Sequence, residues 1–162
     1  RAADLYHKTY PNEKVTALID YNNNVVADSI MLAKHLGTDL RAVRVDTSKA
    51  LIDHYFDDKD TSGFDPHGVC KELIFALRDE LDKNGFNYVK IIVSSSFTAE
   101  KIAEWVKLKV PVDTYGIGTA LVNNTTVGFT GDLVMLDGQR QAKEGRENIP
   151  SSRLIKVPYP IY

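Results

Sequence analysis

Charged and hydroxyl side chains follow two apolar runs of this chain, at the points where each run ends. Arg44 and Asp46 alternate with valines in LRAVRVDTS, and Ser94, Ser95 and Ser96 close VKIIVSSSF. An arginine can bind an anion or a carboxylate, and an aspartate beside it can accept hydrogen bonds from sugar hydroxyls. Serines before a helix N-terminus lie where backbone N–H groups and the helix dipole attract a phosphate.

Each of these signals also has a purely structural explanation. Alternate residues of a strand share a face, so Arg44 and Asp46 could simply form an ion pair with each other at the end of a sheet. The pattern alone leaves these two interpretations equal. Three serines alone are typical of a helix N-cap, and the segment 116–119 (GIGT) alone is typical of a tight turn. The positions of the two segments along the chain favour a phosphate site, because barrels often bind phosphate with the loops after their last two strands.

Four apolar runs predict the strands that position these residues, and the first of them ends at Asp20. The predicted strands, each a short apolar run ending in polar residues or glycine, are 15–21, 41–47, 88–94 and 112–117. Apolar stripes at helical spacing predict a helix after each of the first three strands. Their expected buried residues are Val26, Ile30, Ala33 and Leu36; Val69, Leu73, Leu77 and Leu81; and Ile102, Trp105 and Val106.

The alternation of strand and helix stops near Val122. The segment from Thr125 to Leu136 predicts a hairpin or paired strands, and Arg153 to Tyr159 predicts a last strand. We therefore divide the chain into an α/β part, 1–121, and a small, mostly β subdomain, 122–162. In this tail Lys143 and Arg146 could reach a phosphate or lie in a solvated turn, and the turn is the favoured interpretation.

The number of strand–helix units limits the fold. A closed (β/α)₈ barrel takes about 250 residues, whereas only four strand ends of the right kind precede Val122. Four units cannot close a barrel, and an open half leaves unpaired strand edges. We therefore expect an α/β fold that is the second half of a larger irregular barrel, rather than a small open sheet.

Composition excludes several classes of function. A net charge of −2 and a pI near 6.1 give no basic face for nucleic acid or an anionic membrane, and no apolar run reaches membrane-spanning length. Cys70 is the single cysteine, so an internal disulfide is excluded and a cytoplasmic location is expected. It starts an amphipathic helix and is expected in the core rather than as a nucleophile. The four histidines show no metal-ligand spacing, and no metal site is predicted.

Taken together, the motifs resemble the C-terminal half of nicotinate phosphoribosyltransferase. The resembling segments run through nearly the whole chain in order: LIDY (18–21), VRVDTS (43–48), GVCKELIFALRDELDKNGF (68–86), KIIVSSSF (90–97), VDTYGIGT (112–119) and FTGDLVMLDGQRQAKEGR (129–146). The resemblance implies the irregular α/β barrel of type II phosphoribosyltransferases and a homodimer. It also implies transfer of phosphoribose from phosphoribosyl pyrophosphate to nicotinate in NAD biosynthesis, with Mg²⁺ and with ATP hydrolysis through a phosphohistidine.

The resemblance also implies roles for individual residues. Arg44 matches the arginine beside the pyridine ring and the ribose, and Asp46 matches the aspartate that holds the ribose hydroxyls; both are expected to be catalytic. Asp20 matches an acidic residue near the same pocket and is expected to bind substrate. The residues that match the loops for the 5′-phosphate are Ser95, Ser96, Gly116 and Gly118.

Two departures from the family leave other interpretations open. The family usually has Ser-Gly-Gly where this chain has Ser94–Ser96, and none of the four histidines matches the phosphohistidine, which lies upstream of Arg1 in the family. We therefore expect the chain alone to be inactive. The alternatives are a non-catalytic or degenerate homologue that serves as a binding or assembly module, or another barrel enzyme that acts on a phosphosugar.

Overall fold

The computed structural model describes residues 1–122 and 131–153. Its helices are α1 (Ala2–Thr9), α2 (Val25–Leu36), α3 (Lys71–Lys83), α4 (Ala99–Lys107) and α5 (Thr119–Val122). Its strands are β1 (Val15–Leu18), β2 (Leu40–Val45), β3 (Lys90–Val93), β4 (Thr114–Tyr115), β5 (Met135–Leu136) and β6 (Gln139–Arg140). Short 3₁₀ turns cover Gly37–Asp39 and His54–Phe56.

The first four strands form one parallel sheet in the order β1-β2-β3-β4. A helix connects each strand to the next, which confirms the predicted strand–helix repetition. The spatial order follows the chain without reversal, as in an arc of a barrel; doubly wound sheets instead reverse at a switch point. This topology fits the predicted half barrel, and closure of a barrel stays a prediction.

Each strand is shorter than predicted, because residues at the ends of the predicted runs, apolar ones such as Ile19 and polar ones such as Ser94, lie outside the regular ladder. Hydrogen bonds nevertheless continue beyond the strands. The backbone N–H of Ser94 donates to Val45 O over 2.9 Å, and that of Gly116 donates to Val93 O over 2.7 Å. Ile19 N–H donates to Arg44 O over 3.2 Å. The segments that follow the strands are therefore fixed by backbone contacts.

The core lies between the helices and one face of the sheet. On that face Ala17, Val43 and Ile91 are neighbours in register, and the last two are fully buried. The helical residues that share this core include Ala33, Leu36, Leu73, Leu77, Leu81 and Trp105, as their spacing predicts. On the opposite face Leu18 is 48% exposed beside Arg44, whereas Ala42 is 1% exposed, so this face is open towards the carboxyl ends of the strands.

The loop after β2 is tied to the start of α2. Asp53 is fully buried, and its two carboxylate oxygens accept hydrogen bonds from Val25 N (3.0 Å) and Tyr55 N (2.9 Å). Burial raises the pKa of Asp53. Asn23 adds a bond from its side-chain amide to Ile52 O over 2.7 Å. A residue 28 positions away thus caps α2.

Helix α4 has a threonine cap, and one of its residues that was expected to be buried is exposed. Thr98 Oγ1 accepts a hydrogen bond from Lys101 N over 3.3 Å, as expected of an N-cap. Trp105 is buried and packs edge-on against Phe97 with ring centroids 4.9 Å apart. Val106, expected to be buried, is 63% exposed. One residue along a helix turns the side chain by about 100°, which carries Val106 off the apolar face.

The tail contains an antiparallel hairpin of β5 and β6. Asp137 and Gly138 connect the strands, and both have positive φ (48° and 76°), which is typical of a type I′ turn. β5 lies at the end of the segment 125–136 for which paired strands are predicted, whereas β6 lies beyond it. Residues 123–130, and the predicted last strand from residue 154 onward, lie outside the described residues. The division at 121/122 stays a prediction. Within the described ranges, no helix has the length and apolar character needed to cross a membrane.

Candidate functional site

The strand register gathers the predicted polar residues on the open face of the sheet. Arg44 lies beside Ile92, and Ile92 lies beside Thr114. Because side chains alternate along a strand, Asp46, Ser94 and Gly116 continue the same face two positions further on. The carboxyl ends of β2, β3 and β4 therefore bring together residues that are far apart in the sequence.

These strand ends surround a cavity of about 580 Å³. Its lining includes six of the seven predicted site residues: Arg44, Asp46, Ser95, Ser96, Gly116 and Gly118. The cavity thus has a charged side, formed by the arginine and the aspartate, and a side of hydroxyl groups and backbone from the two loops.

Arg44 and Asp46 lie close together without a tight bond. Arg44 Nη2 is 3.9 Å from Asp46 Oδ2, and the side chains are 44% and 34% exposed. This separation is too long for a good hydrogen bond. Exposed ion pairs contribute between about 0 and 1 kcal/mol to stability. The pair therefore adds little to the fold, and both groups keep hydrogen-bonding capacity that can be used by a ligand.

The serine loop has the backbone conformation that glycine favours. Ser95 and Ser96 have φ of 83° and 59°. Successive residues of this kind can turn their N–H groups towards one point, as in the backbone nests that bind anions. Ser95 Oγ donates to Thr47 O over 3.2 Å, which turns this hydroxyl towards the β2 loop. The two serines therefore keep the positive φ expected of the family's glycines.

The two glycines of the neighbouring loop have different surroundings. A Cβ on Gly116 would lie 3.1 Å from Ser94 Cβ, so this position requires a small residue for the loops to pack. Around Gly118 nothing lies within 4 Å of such a Cβ. Gly118 therefore borders the open space of the cavity, where a side chain would enter the volume available to a ligand.

Asp20 does not line this cavity. Its carboxylate is buried, and its Oδ2 accepts a hydrogen bond from Lys143 Nζ over 2.7 Å. The backbone N–H of Glu144 also donates to Tyr21 O over 2.9 Å. The tail thus docks beside the end of β1. The expectation that Lys143 lies in a solvated turn is wrong, because its ammonium is the partner of a buried carboxylate.

Sequence reasoning named Lys143 but missed its contact with Asp20, which joins residues 123 positions apart. A possible signal was the need of a buried strand-end aspartate for a cation. Arg146 also departs from the solvated-turn expectation, since its Nε lies 2.8 Å from Asp132 Oδ2.

The other candidate groups form no catalytic cluster. Among the described residues no group of three or more histidine, cysteine or acidic side chains could hold a metal ion. Cys70 packs against the core as expected, and burial raises the pKa of its thiol. His35 is largely exposed and pairs with Asp4.

Comparison with known proteins adds the family context of this site. No family model matches the chain. Nicotinate phosphoribosyltransferase pncB2 from two strains of Mycobacterium tuberculosis is 32% identical over 131 residues, which are 78% of this chain and 23% of the relative. The crystal structure of nicotinate-nucleotide pyrophosphorylase from Pyrococcus furiosus matches with a TM-score of 0.53 and 31% identity, over 83% of this chain and 30% of that one.

The mixed α/β fold with its parallel sheet is consistent with a phosphoribosyltransferase fold. The resemblance predicted from the motifs is confirmed: the chain is similar to nicotinate phosphoribosyltransferase and matches its C-terminal part. It spans 23% of the length of the curated relatives that it matches.

Proposed function

We propose that this chain supplies the phosphoribosyl-binding side of a nicotinate phosphoribosyltransferase. In the proposed reaction the C1–oxygen bond of phosphoribosyl pyrophosphate breaks, pyrophosphate leaves, and the ring nitrogen of nicotinate bonds to C1. The product is nicotinate mononucleotide, a precursor of NAD. The observation that carries the proposal is the single cavity that Arg44, Asp46 and the loops after β3 and β4 share.

The charges of this cavity suit a glycosyl transfer. Positive charge develops at the ribose ring in an oxocarbenium-like transition state, and a carboxylate held near the ring stabilises it. Asp46 has this role in our proposal, and its oxygens accept hydrogen bonds from the ribose hydroxyls. Arg44 then lies near the substrate carboxylate and the ribose. Ser95, Ser96 and the 116–118 loop hold the 5′-phosphate and so fix the position of the sugar.

The remaining features of the proposal rest on the family resemblance. Among the described residues, Asp46 is the single carboxylate of the cavity lining, which suits Mg²⁺ that arrives on the phosphates of the substrate rather than in a protein cage. Mg²⁺ would neutralise part of the charge of the leaving pyrophosphate. ATP hydrolysis and a homodimer are proposed on the same basis.

The proposal is tested by substitutions on β2 in the complete protein. Asp46→Ala should lower kcat/KM by about 10²-fold or more, because it removes charge that acts on the transition state. Arg44→Ala should weaken nicotinate binding, while Arg41→Ala is the matched control. Arg41 belongs to the same strand, but its guanidinium donates to Thr16 Oγ1, and activity should stay near the parent value.

The phosphate loop has its own test. Gly118→Val places a side chain in open space without a positive φ, so the protein should fold. Calorimetric titration should nevertheless show weaker binding of nicotinate mononucleotide. Equal affinity for this variant would place the phosphate elsewhere. If Asp46→Ala keeps the parent activity per folded molecule, Asp46 has no catalytic role and is only a structural partner of Arg44.

A binding module without catalysis is the second candidate function, and the triple serine favours it. The positive φ of Ser95 and Ser96 argues in the other direction, because the backbone keeps the shape expected of a phosphate loop. The two candidates differ in one result: the module binds nicotinate mononucleotide but shows no turnover in the complete protein.

A further inference from the structure

A second cavity, of about 430 Å³, shares Ser95 with the first. It lies where the loop after β2, the segment before α3 and the first turn of α4 meet. Its lining consists of Lys49, Asp65, His67, Val69, Ser95 and Lys101. None of these residues except Ser95 takes part in the proposed reaction, and two of them carry ammonium groups.

Lys101 is held in place by contacts that include no carboxylate of the described residues. Its Nζ donates to Val69 O over 3.3 Å and lies 4.4 Å from the centre of the Phe97 ring and 5.1 Å from that of Trp105. In the part of the chain that the structure describes, the lysines that pair with a carboxylate are others: Lys71, Lys83, Lys90 and Lys143.

Lys49 adds a second positive charge to this cavity. Partial burial and the nearby Lys49 ammonium lower the pKa of Lys101, so the two charges repel each other. Lys101 also lies in the first turn of α4, where the helix dipole is unfavourable to a cation. An anion between the lysines would offset both effects.

Asp65, the acidic residue of this cavity, already accepts hydrogen bonds from His67. Asp65 Oδ1 accepts hydrogen bonds from the backbone N–H of His67 (3.0 Å) and lies 2.7 Å from His67 Nδ1. These contacts lower the pKa of Asp65, which therefore keeps its negative charge. The two lysines outweigh this single carboxylate, so the cavity has a net positive charge with His67 neutral.

We propose that Lys49 and Lys101 form a second anion site, which binds a phosphate-type oxyanion outside the cavity of Arg44 and Asp46. Phosphates carry the charge and the several acceptor oxygens that two ammonium groups can share. This site does not depend on the proposed function, since its residues are not those assigned to the reaction. Its two charges favour pyrophosphate over monovalent anions.

The site can be tested by lysine acylation of the complete protein, read by mass spectrometry, with inorganic pyrophosphate as the probe at constant ionic strength. Pyrophosphate at about ten times its dissociation constant should slow acylation of Lys49 and Lys101 about tenfold, as expected for a site that is mostly occupied. Lys107 is the control, because it is exposed at the other end of α4. Its acylation should not change.

Two variants separate this site from the first cavity. Lys49→Met changes an exposed side chain and should fold, and it should remove most of the protection of Lys101. Gly118→Val alters the first cavity and should leave that protection intact. Protection no greater than that of Lys107, protection of Lys101 that survives Lys49→Met, or its loss in Gly118→Val would each overturn the proposal.

Discussion

Ser95 and Ser96 have a left-handed backbone conformation. We therefore predict that glycine in place of a serine in this loop stabilises the protein. An L-residue in this region costs about 1–2 kcal/mol. Ser96 is the cleaner probe, because Ser95 also loses its hydrogen bond to Thr47 O on substitution. Glycine costs about 0.5–1 kcal/mol through the greater freedom of the unfolded chain. Ser96→Gly should therefore change the free energy of unfolding by between about 0 and +1.5 kcal/mol.

Ser94→Gly is the matched control in the same loop. Ser94 is not among the residues with positive φ, so glycine there relieves no strain. It should lower stability by about 0.5–1 kcal/mol, with little more from the long Oγ contact to Val45 O at 3.4 Å. Urea unfolding of both variants should then separate them by about 1–2 kcal/mol, the cost of the left-handed conformation itself. Equal losses in the two variants would refute the reasoning.

The same variant bears on binding. If backbone N–H groups of this loop hold the 5′-phosphate, Ser96→Gly keeps them and removes a side chain, so nicotinate mononucleotide should bind at least as tightly as to the parent. Calorimetric titration measures this directly. A marked loss of affinity would show instead that the Ser96 hydroxyl itself contributes to binding.

Three further predictions concern other parts of the molecule. Lys143→Met should lower the free energy of unfolding by about 1–3 kcal/mol in urea, because it leaves the buried acceptor of Asp20 unsatisfied; no loss would show that water replaces the ammonium. Leu77→Ala should cost about 2–5 kcal/mol, whereas Phe75→Ala, 44% exposed on the same helix, should cost far less by thermal unfolding. A hydrogen bond to the Asp57 carboxylate raises the pKa of His54 above 6.5. The stabilising contribution of this pair is therefore complete below pH 6.5 and is lost as the pH rises through the pKa of His54 in the folded protein. An NMR titration that gives a pKa of 6.5 or less for His54 would contradict this.

Sequence periodicity correctly predicted the helices and strands whose apolar residues recur at regular spacing. Leu73, Leu77 and Leu81 recur every four residues, and all three are fully buried on α3. The alternation around Arg44 and Asp46 placed both on one face because the period of a strand is two. The strand bounds were too long, since apolar residues extend past the point where the ladder ends.

Contacts between distant segments could not be predicted in this way. The pairing of Lys143 with Asp20 depends on how the tail folds back, and no local period records it. The helix α1 was also not predicted, and none of its side chains is fully buried. The conformation of the serine loop could not be predicted for a different reason. The residue types argue against positive φ, yet Ser95 and Ser96 both adopt it.

The open face of the sheet explains why charged residues can occupy the end of a central strand. Parallel sheets are usually covered on both faces, and their strands are then almost continuously apolar. In β2 the covered face follows this rule with Val43 and Val45, while the open face carries Arg44. A charge on the covered face would need a buried partner, at a desolvation cost of several kcal/mol per ion. On the open face the same charge stays hydrated, so the fold can hold Arg44 and Asp46 in a fixed position and leave them available for a substrate.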